Sequence, residues 1–394
     1  MITSASQRPK IKGQRRKATI STNSMSRHEI IIVGGGVIGL SIARSLALRG
    51  VDVCLIEKSG LGTEASFAAA GMLAPQAEAD SRDAFFDLLC KSRDLYPEFA
   101  AALKEESGVD IELDQTGTLY LAFNEHDQIE IDRRHEWQTR AGLPVEKFNS
   151  SDARLLEPNI APNVSGALHF PKDVQVENRR LLNALVNSVA QLNVRLRTGT
   201  NVETICIEKN HVTGVRTSEE TLDCRTVVLA AGTWTSLIHP MIKVEPVRGQ
   251  MVCLNTAPQL TRHVIYSPRG YIVPRQDGRL LAGSTSERAG FVKEVTVEAV
   301  TSILRNAIEI CPAITSLPVV DLWAGLRPRA PDGLPVLGPC GEIAGLIYAT
   351  GHYRNGILLA PVTGDLIAKT IVENTLQPEL APFNPDRFSS MSVS

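Results

Sequence analysis

The sequence predicts an α/β fold with an α+β part: a Rossmann-like domain assembled from several stretches of chain and interleaved with an antiparallel-sheet domain. Three observations carry this prediction. Ile30-Ile31-Ile32-Val33 runs straight into Gly34-Gly35-Gly36-Val37-Ile38-Gly39, and Val53-Cys54-Leu55-Ile56 then ends at Glu57. Val227-Val228-Leu229-Ala230-Ala231 is a continuous apolar run closed by Gly232, the pattern of a parallel strand buried on both faces. Near the other end, Ile347-Tyr348-Ala349-Thr350-Gly351 leads into His352. Strands of one type therefore stand at the beginning, middle and end of the chain, with other material between them.

Each element has its own signal. Ile38, Ile42, Leu46 and Leu48 supply the apolar face of the first helix, and Gly50 ends it. Phe85, Leu88, Leu89, Leu95, Phe99 and Leu103 recur at helical spacing over 84–106. Gly117 to Phe123 reads as a strand and 125–141 as a polar helix. A helix over 178–191 precedes strand patterns at 201–208 and 212–217. The stretches 247–255, 263–266, 270–274 and 279–285 are short strands with turn signals such as Asp277-Gly278, so they read as antiparallel. Helices follow at 296–310 and 357–374. We divide the chain into a disordered basic tail (1–27), a discontinuous nucleotide-binding domain (28–85, 170–245 and 321–376), a substrate domain (86–169 and 246–320) and a C-terminal tail (377–394). Pro382, Pro385 and the terminal serines mark that last segment as mobile.

Composition sets the outer limits. The 394 residues allow a large two-domain enzyme. A net charge of -2 gives no electrostatic reason for a nucleic-acid partner. No apolar run approaches the roughly 20 residues that span a bilayer, so no membrane is expected. The seven cysteines are scattered and odd in number, which reads as reduced thiols in a cytoplasmic compartment. The histidines lack metal-ligand spacing, so no metal is expected. Residues 1–27 hold seven Lys or Arg and no acid. They read as a disordered tail, or as a stretch upstream of a natural start at Met25; a transit peptide is the alternative.

The glycine turn states its chemistry. Gly34 permits the tight turn from strand to helix, Gly36 lets the backbone approach a pyrophosphate, and Gly39 allows close packing of helix on strand. The helix N-terminus offers free N–H groups to phosphates. Glu57, about twenty residues on, suits a ribose diol and would repel a 2′-phosphate, which argues against NADP. The small residues Ser66-Phe67-Ala68-Ala69-Ala70-Gly71-Met72 let backbone pass close to a flat ring. With the late return at His352, this favours FAD over a simple NAD module. An NAD-linked dehydrogenase leaves the C-terminal segment unexplained.

Beyond these features the chain resembles the FAD-dependent D-amino-acid oxidase superfamily, most closely its glycine oxidase family of thiamine biosynthesis, over about residues 28–376. The marks are Ala68 to Leu73, Arg82 to Phe86, Ser107 to Ile111, Tyr271 to Arg275, Trp323 to Pro328 and Gly351 to Pro361. The resemblance implies that FAD lies against Val37, Ile38, Glu57, Lys58, Ala65, Ser66, Ala70, Gly71, Met72 and Val202. Val227 to Trp234 is similar to a second flavin-contacting strand, which adds Gly232 and Trp234. His352, Tyr353, Arg354, Asn355, Gly356, Ile357 and Leu358 would wrap the isoalloxazine end. Relatives with covalent flavin carry a cysteine where this chain has Gly325-Leu326-Arg327, so non-covalent FAD is implied. A homotetramer is implied as well.

For the substrate, the resemblance implies that Arg327 pairs with a carboxylate, joined by Tyr271 and Arg354. Chemistry supports Arg327, because a guanidinium fork matches a carboxylate bidentately and stays charged. The implied reaction is oxidation of glycine, sarcosine or small D-amino acids by O2, giving imine or glyoxylate, ammonia and H2O2. The imine would serve thiazole formation, with a thiazole synthase as pathway neighbour. No side-chain acid or base is expected, since the cofactor does the hard chemistry. Ser286 stands where the family pattern has methionine, and by resemblance this smaller, polar residue near the substrate shifts the expected preference toward sarcosine or small D-amino acids. The competing readings are a D-amino-acid dehydrogenase using a quinone and a flavin-binding protein without turnover.

Overall fold

The computed structural model describes residues 28–391. The expectations for 1–27 and for the last three residues lie outside it. Two eight-stranded sheets form the frame. The first has the order Val336–Pro339, Leu346–Thr350, Thr221–Leu229, His28–Val33, Val53–Ile56, Arg195–Arg197. All these neighbours pair in parallel except the first two, and an antiparallel ribbon, Val202–Glu208 with His211–Thr217, grows from Thr221–Leu229.

Strand periodicity explains why His28–Val33 sits at the centre. Ile30 and Ile32 enter the core beneath one face, and Ile31 and Val33 the core beneath the other. A strand buried on both faces has no use for polar alternation. On one side pack Val37–Ala47, Asn178–Gln191 and Ala360–Glu373, through Leu40, Leu46, Leu185 and Ile367 among others. The long helix Ala84–Ser107 joins this same core through Leu88, Tyr96 and Leu103. Its start is set by Asp83, whose carboxylate accepts from the Phe86 N–H at 2.7 Å.

The second sheet runs Val319–Arg329, Glu245–Asn255, Arg279–Gly283, Gly270–Pro274, Val264–Ser267, Thr118–Ala122, Gly166–Phe170, Glu146–Asn149. It is antiparallel apart from the pairing of Val264–Ser267 with Thr118–Ala122. Alternation divides its faces. Val252, Leu254, Ile272 and Leu280 meet Ile303 and Ile310 of the helix Val297–Ile310. Met251, Cys253, Tyr271 and Val273 point the other way and pack with Ala70.

Three expectations require correction. Residues 321–329 belong to the strand Val319–Arg329, which pairs along Glu245–Asn255 in the second sheet and not in the first. The helix Ala84–Ser107, expected with the substrate domain from residue 86 on, buries its apolar stripe against the helices of the first sheet. The segment after Pro378 is not a loose tail as far as Met391. It forms two 3₁₀ turns, Pro378–Phe383 and Pro385–Met391. Leu380 and Phe383 are fully buried, and Arg387 donates to Asp332 at 2.8 Å and to the Pro335 carbonyl at 3.0 Å. Proline spacing suggested mobility, but three aligned anchors outweigh it.

If this segment is structural, Phe383→Ala should cost about 3–5 kcal/mol, the usual range for a buried phenylalanine that leaves a cavity. Urea unfolding followed by fluorescence measures it. A loss below about 1 kcal/mol would return the segment to the status of a tail.

Candidate active site

The C-terminal ends of the parallel strands converge, and ligands in such sheets bind beyond those ends. There the chain turns at Gly34, with φ +111°; a Cβ on it would sit 2.4 Å from the Ala230 carbonyl oxygen. Gly39 lies one turn on, where a Cβ would meet the Gly34 oxygen at 1.9 Å. Both glycines are demanded by the protein itself. Gly36 is different: a Cβ there would find only Ser66 Oγ, at 3.4 Å. Its requirement is therefore set by whatever approaches the turn.

A cavity of about 470 Å³ starts at this turn. One end is lined by Gly34, Gly36, Val37, Ile38, Glu57 and Lys58, with Val202, Gly232 and Trp234 opposite. Its wall is the run Ala65, Ser66, Ala70, Gly71 and Met72. The far end is lined by Tyr271, Arg327, His352, Tyr353, Arg354, Asn355, Gly356 and Ile357. The structure thus brings most of the predicted residues to one cleft. Three do not line it. Gly39 faces the back of the turn, and Leu358 is buried with its carbonyl accepting from Ser92 Oγ at 2.6 Å. Ser286 is exposed on the rim, with its Oγ 3.3 Å from the Tyr353 hydroxyl.

The nucleotide end suits a dinucleotide. The helix Val37–Ala47 begins after Gly36 without a side-chain cap, and its first amides have no intrahelical acceptor. Ser66 Oγ accepts from the Val37 N–H at 3.1 Å. Glu57 is held by the Gly35 and Ser59 N–H groups at 2.8 and 3.0 Å. The Lys58 ammonium lies 3.4 Å from the centre of the Trp234 ring. Thr233, which also lines the cavity, holds a buried Oγ1 with no partner among the described residues. A helix start with amides left over beyond Val37, an orphaned hydroxyl and a wall of small side chains fit FAD. Residues 34–38, 57–58, 65–72 and 232–234 would hold it.

The far end separates two arginines by their partners. Arg327 donates to the Thr285 carbonyl at 3.0 Å and to Ser284 Oγ at 2.8 Å, and forms no ion pair among the described residues. Arg354 is ion-paired to Glu78 at 3.0 Å and also donates to the Tyr266 hydroxyl at 3.1 Å. The Glu78 carboxylate holds the Arg354 guanidinium firmly protonated. Glu78 and Tyr266 were not anticipated from sequence. Tyr120, Tyr266 and Tyr271 stack in sequence, with centroids 5.6 and 6.2 Å apart. The Tyr271 hydroxyl donates to Met251 Sδ at 3.3 Å. Gly249 and Met251 were missed too, although alternation along their strand puts both on the face that carries the site. Arg248, the residue before Gly249, turns away and donates to Glu287 at 3.1 Å. His352 is buried beside Thr363 Oγ1 at 3.2 Å, and burial pushes its pKa down to about 3.

This fold and this cleft define a flavin-dependent oxidoreductase with two arginines at the far end of its cleft. Comparison with known proteins agrees. The chain belongs to the FAD dependent oxidoreductase (DAO) family, whose model matches residues 29–370. It is 36% identical to glycine oxidase of Geobacillus kaustophilus over 92% of this chain and 97% of that protein. It is 35% identical to the bifunctional protein ThiO/ThiG of Trichormus variabilis, over 92% of this chain but only 56% of that one, so it spans about half of that relative. The crystal structure of the Geobacillus kaustophilus enzyme superposes with a TM-score of 0.88 at 35% identity, covering 92% of this chain and 99% of that one. The protein is an amine-oxidising flavoenzyme that uses FAD. No helix among the described residues is long and apolar enough to cross a membrane.

Neutral burial of His352 has a consequence for stability. Between about pH 6.5 and 3 the unfolded chain binds a proton here that the folded chain refuses, so stability falls as pH drops through that window. His352→Gln should lose less stability between pH 7 and pH 4.5 than the wild type, as read from urea midpoints. Equal losses would show that His352 does not contribute.

Proposed function

We propose that this enzyme oxidises glycine and other small amino acids or N-methyl amines, such as sarcosine, with O2. The net change for glycine is glycine + O2 + H2O → glyoxylate + NH3 + H2O2. The observation that carries this reading is the Arg327 guanidinium, which lines the far end of the cleft without an acid partner among the described residues. A cation left in a cleft without its counter-charge is a site for an anion, and its planar fork suits a carboxylate.

Residues 34–38, 57–58, 65–72 and 232–234 would hold non-covalent FAD, which would supply the acceptor for the hydride equivalent leaving the α-carbon and its redox link to O2. The protein's part is orientation. Arg327 holds the substrate carboxylate, and Tyr271 stands on the same wall to add its hydroxyl. Arg354, neutralised by Glu78, closes the end without offering a second free cation. His352 stays neutral at working pH and takes no proton. The substrate amine must itself be neutral to release hydride, so no side-chain base is required. Ser286 does not line the cleft and touches it only through the Tyr353 hydroxyl, 3.3 Å from its Oγ. Fusion of a relative to ThiG supports a role in supplying imine for thiazole synthesis, with a thiazole synthase as neighbour. We place the enzyme in the cytoplasm as a homo-oligomer, a tetramer by resemblance.

Anaerobic bleaching of the flavin by glycine, sarcosine and D-alanine, then recolouring in air with peroxide release, tests the reading. A yellow protein that none of them bleaches would overturn it. Arg327→Ala should keep FAD yet slow flavin reduction about 100-fold or more at fixed glycine, and Arg327→Lys should recover little, since a point charge cannot replace the fork. Wild-type reduction in Arg327→Ala would remove this residue from the site.

A further inference from the structure

We infer that Gly249 is a positioning residue for the carboxylate clamp: its missing side chain is the space in which the Arg327 guanidinium lies. This rests on the reading of Arg327 as that clamp. Val247 pairs with Arg327 and Gly249 with Gly325 on neighbouring antiparallel strands. The Arg327 side chain therefore leans along its strand over position 249. A Cβ built on Gly249 would stand 2.2 Å from Nη1, 2.3 Å from Nη2 and 2.4 Å from Cζ of Arg327. No real Cβ tolerates such distances, so any residue but glycine displaces the fork.

The surroundings show why displacement damages function more than fold. The three nearest atoms to that Cβ all belong to the tip of one long side chain, not to backbone. The strand can keep its pairing while the guanidinium swings aside. Position 249 is not in a left-handed conformation, so backbone strain gives no reason for glycine there. What swings aside loses its aim, because the donors to Thr285 O and Ser284 Oγ that orient the fork hold it at one place only. Bidentate recognition depends on that fixed orientation. Gly325 provides the contrast: a Cβ there would meet Ala68 Cβ at 2.4 Å, so it guards the small-residue wall and not the clamp.

The test uses the FAD-loaded enzyme and acetate as a carboxylate probe, with binding read from the flavin spectrum, alongside glycine kinetics. Gly249→Ala should keep FAD and the wild-type unfolding midpoint while weakening acetate and raising the glycine KM, both by about 100-fold. Because Gly249 acts through Arg327, adding Gly249→Ala to Arg327→Ala should change neither quantity further. Wild-type acetate affinity in Gly249→Ala overturns the inference, as does a further loss in the double variant. Loss of FAD from Gly249→Ala also overturns it, since that is the behaviour expected of Gly325→Ala. If Arg327→Ala itself leaves acetate binding unchanged, the clamp reading fails instead, and the two failures are told apart.

Discussion

Parallel pairing of His28–Val33 with Thr221–Leu229, and of the latter with Leu346–Thr350, is the constraint on which the site depends. It brings three remote stretches of chain to one edge and aligns their C-terminal ends. The helix N-terminus after Gly36, the turn at Gly232 and the segment from His352 then open onto one cleft. Close approach at Gly34 and Gly39 seals the junction, because neither position has room for a Cβ. Hydrophobic burial on both faces of His28–Val33 stabilises the arrangement, and the glycines make it geometrically feasible.

Charge balance shapes the other end. Two guanidinium groups reach the same pocket wall, yet among the described residues only Arg354 is paired with an acid. The Glu78–Arg354 pair is internally compensated and bridged to the tyrosine stack through Tyr266. Arg327 is held in position by a carbonyl and a hydroxyl that orient its guanidinium without neutralising it. His352, the histidine that lines the cleft among the described residues, is held neutral by burial, which fits a reaction in which the cofactor carries the electron chemistry.

Legibility followed the range of the physical cause. The helix Asn178–Gln191 and the strand Gly270–Pro274 were read closely because their signals lie within a few residues. The last helix was expected from 357 but starts at Ala360, since His352 to Leu359 turns over the cleft before the helix begins. The short strands Glu146–Asn149 and Arg195–Arg197 escaped notice, because a brief polar strand at a sheet edge is specified by its partner. The partition of 321–329 failed for the same reason: its side chains do not state which sheet it joins. At the site, Tyr271, Arg327 and the glycine turn were recognised by motif. Glu78 and Gly249 were not, since a lone acid and a lone glycine carry no local pattern.

By itself the sequence determined the dinucleotide turn, the acid on schedule at Glu57, the periodicity of the main helices and strands, and the residue types able to clamp a carboxylate. These depend on neighbours along the chain, where steric limits and period decide. Only the tertiary structure decided which arginine was left without an acid, that Pro378 to Met391 packs down, and that Gly249 makes room for Arg327. Those outcomes depend on distances between residues far apart in sequence, and pairing, burial and excluded volume set such distances only once the chain has folded.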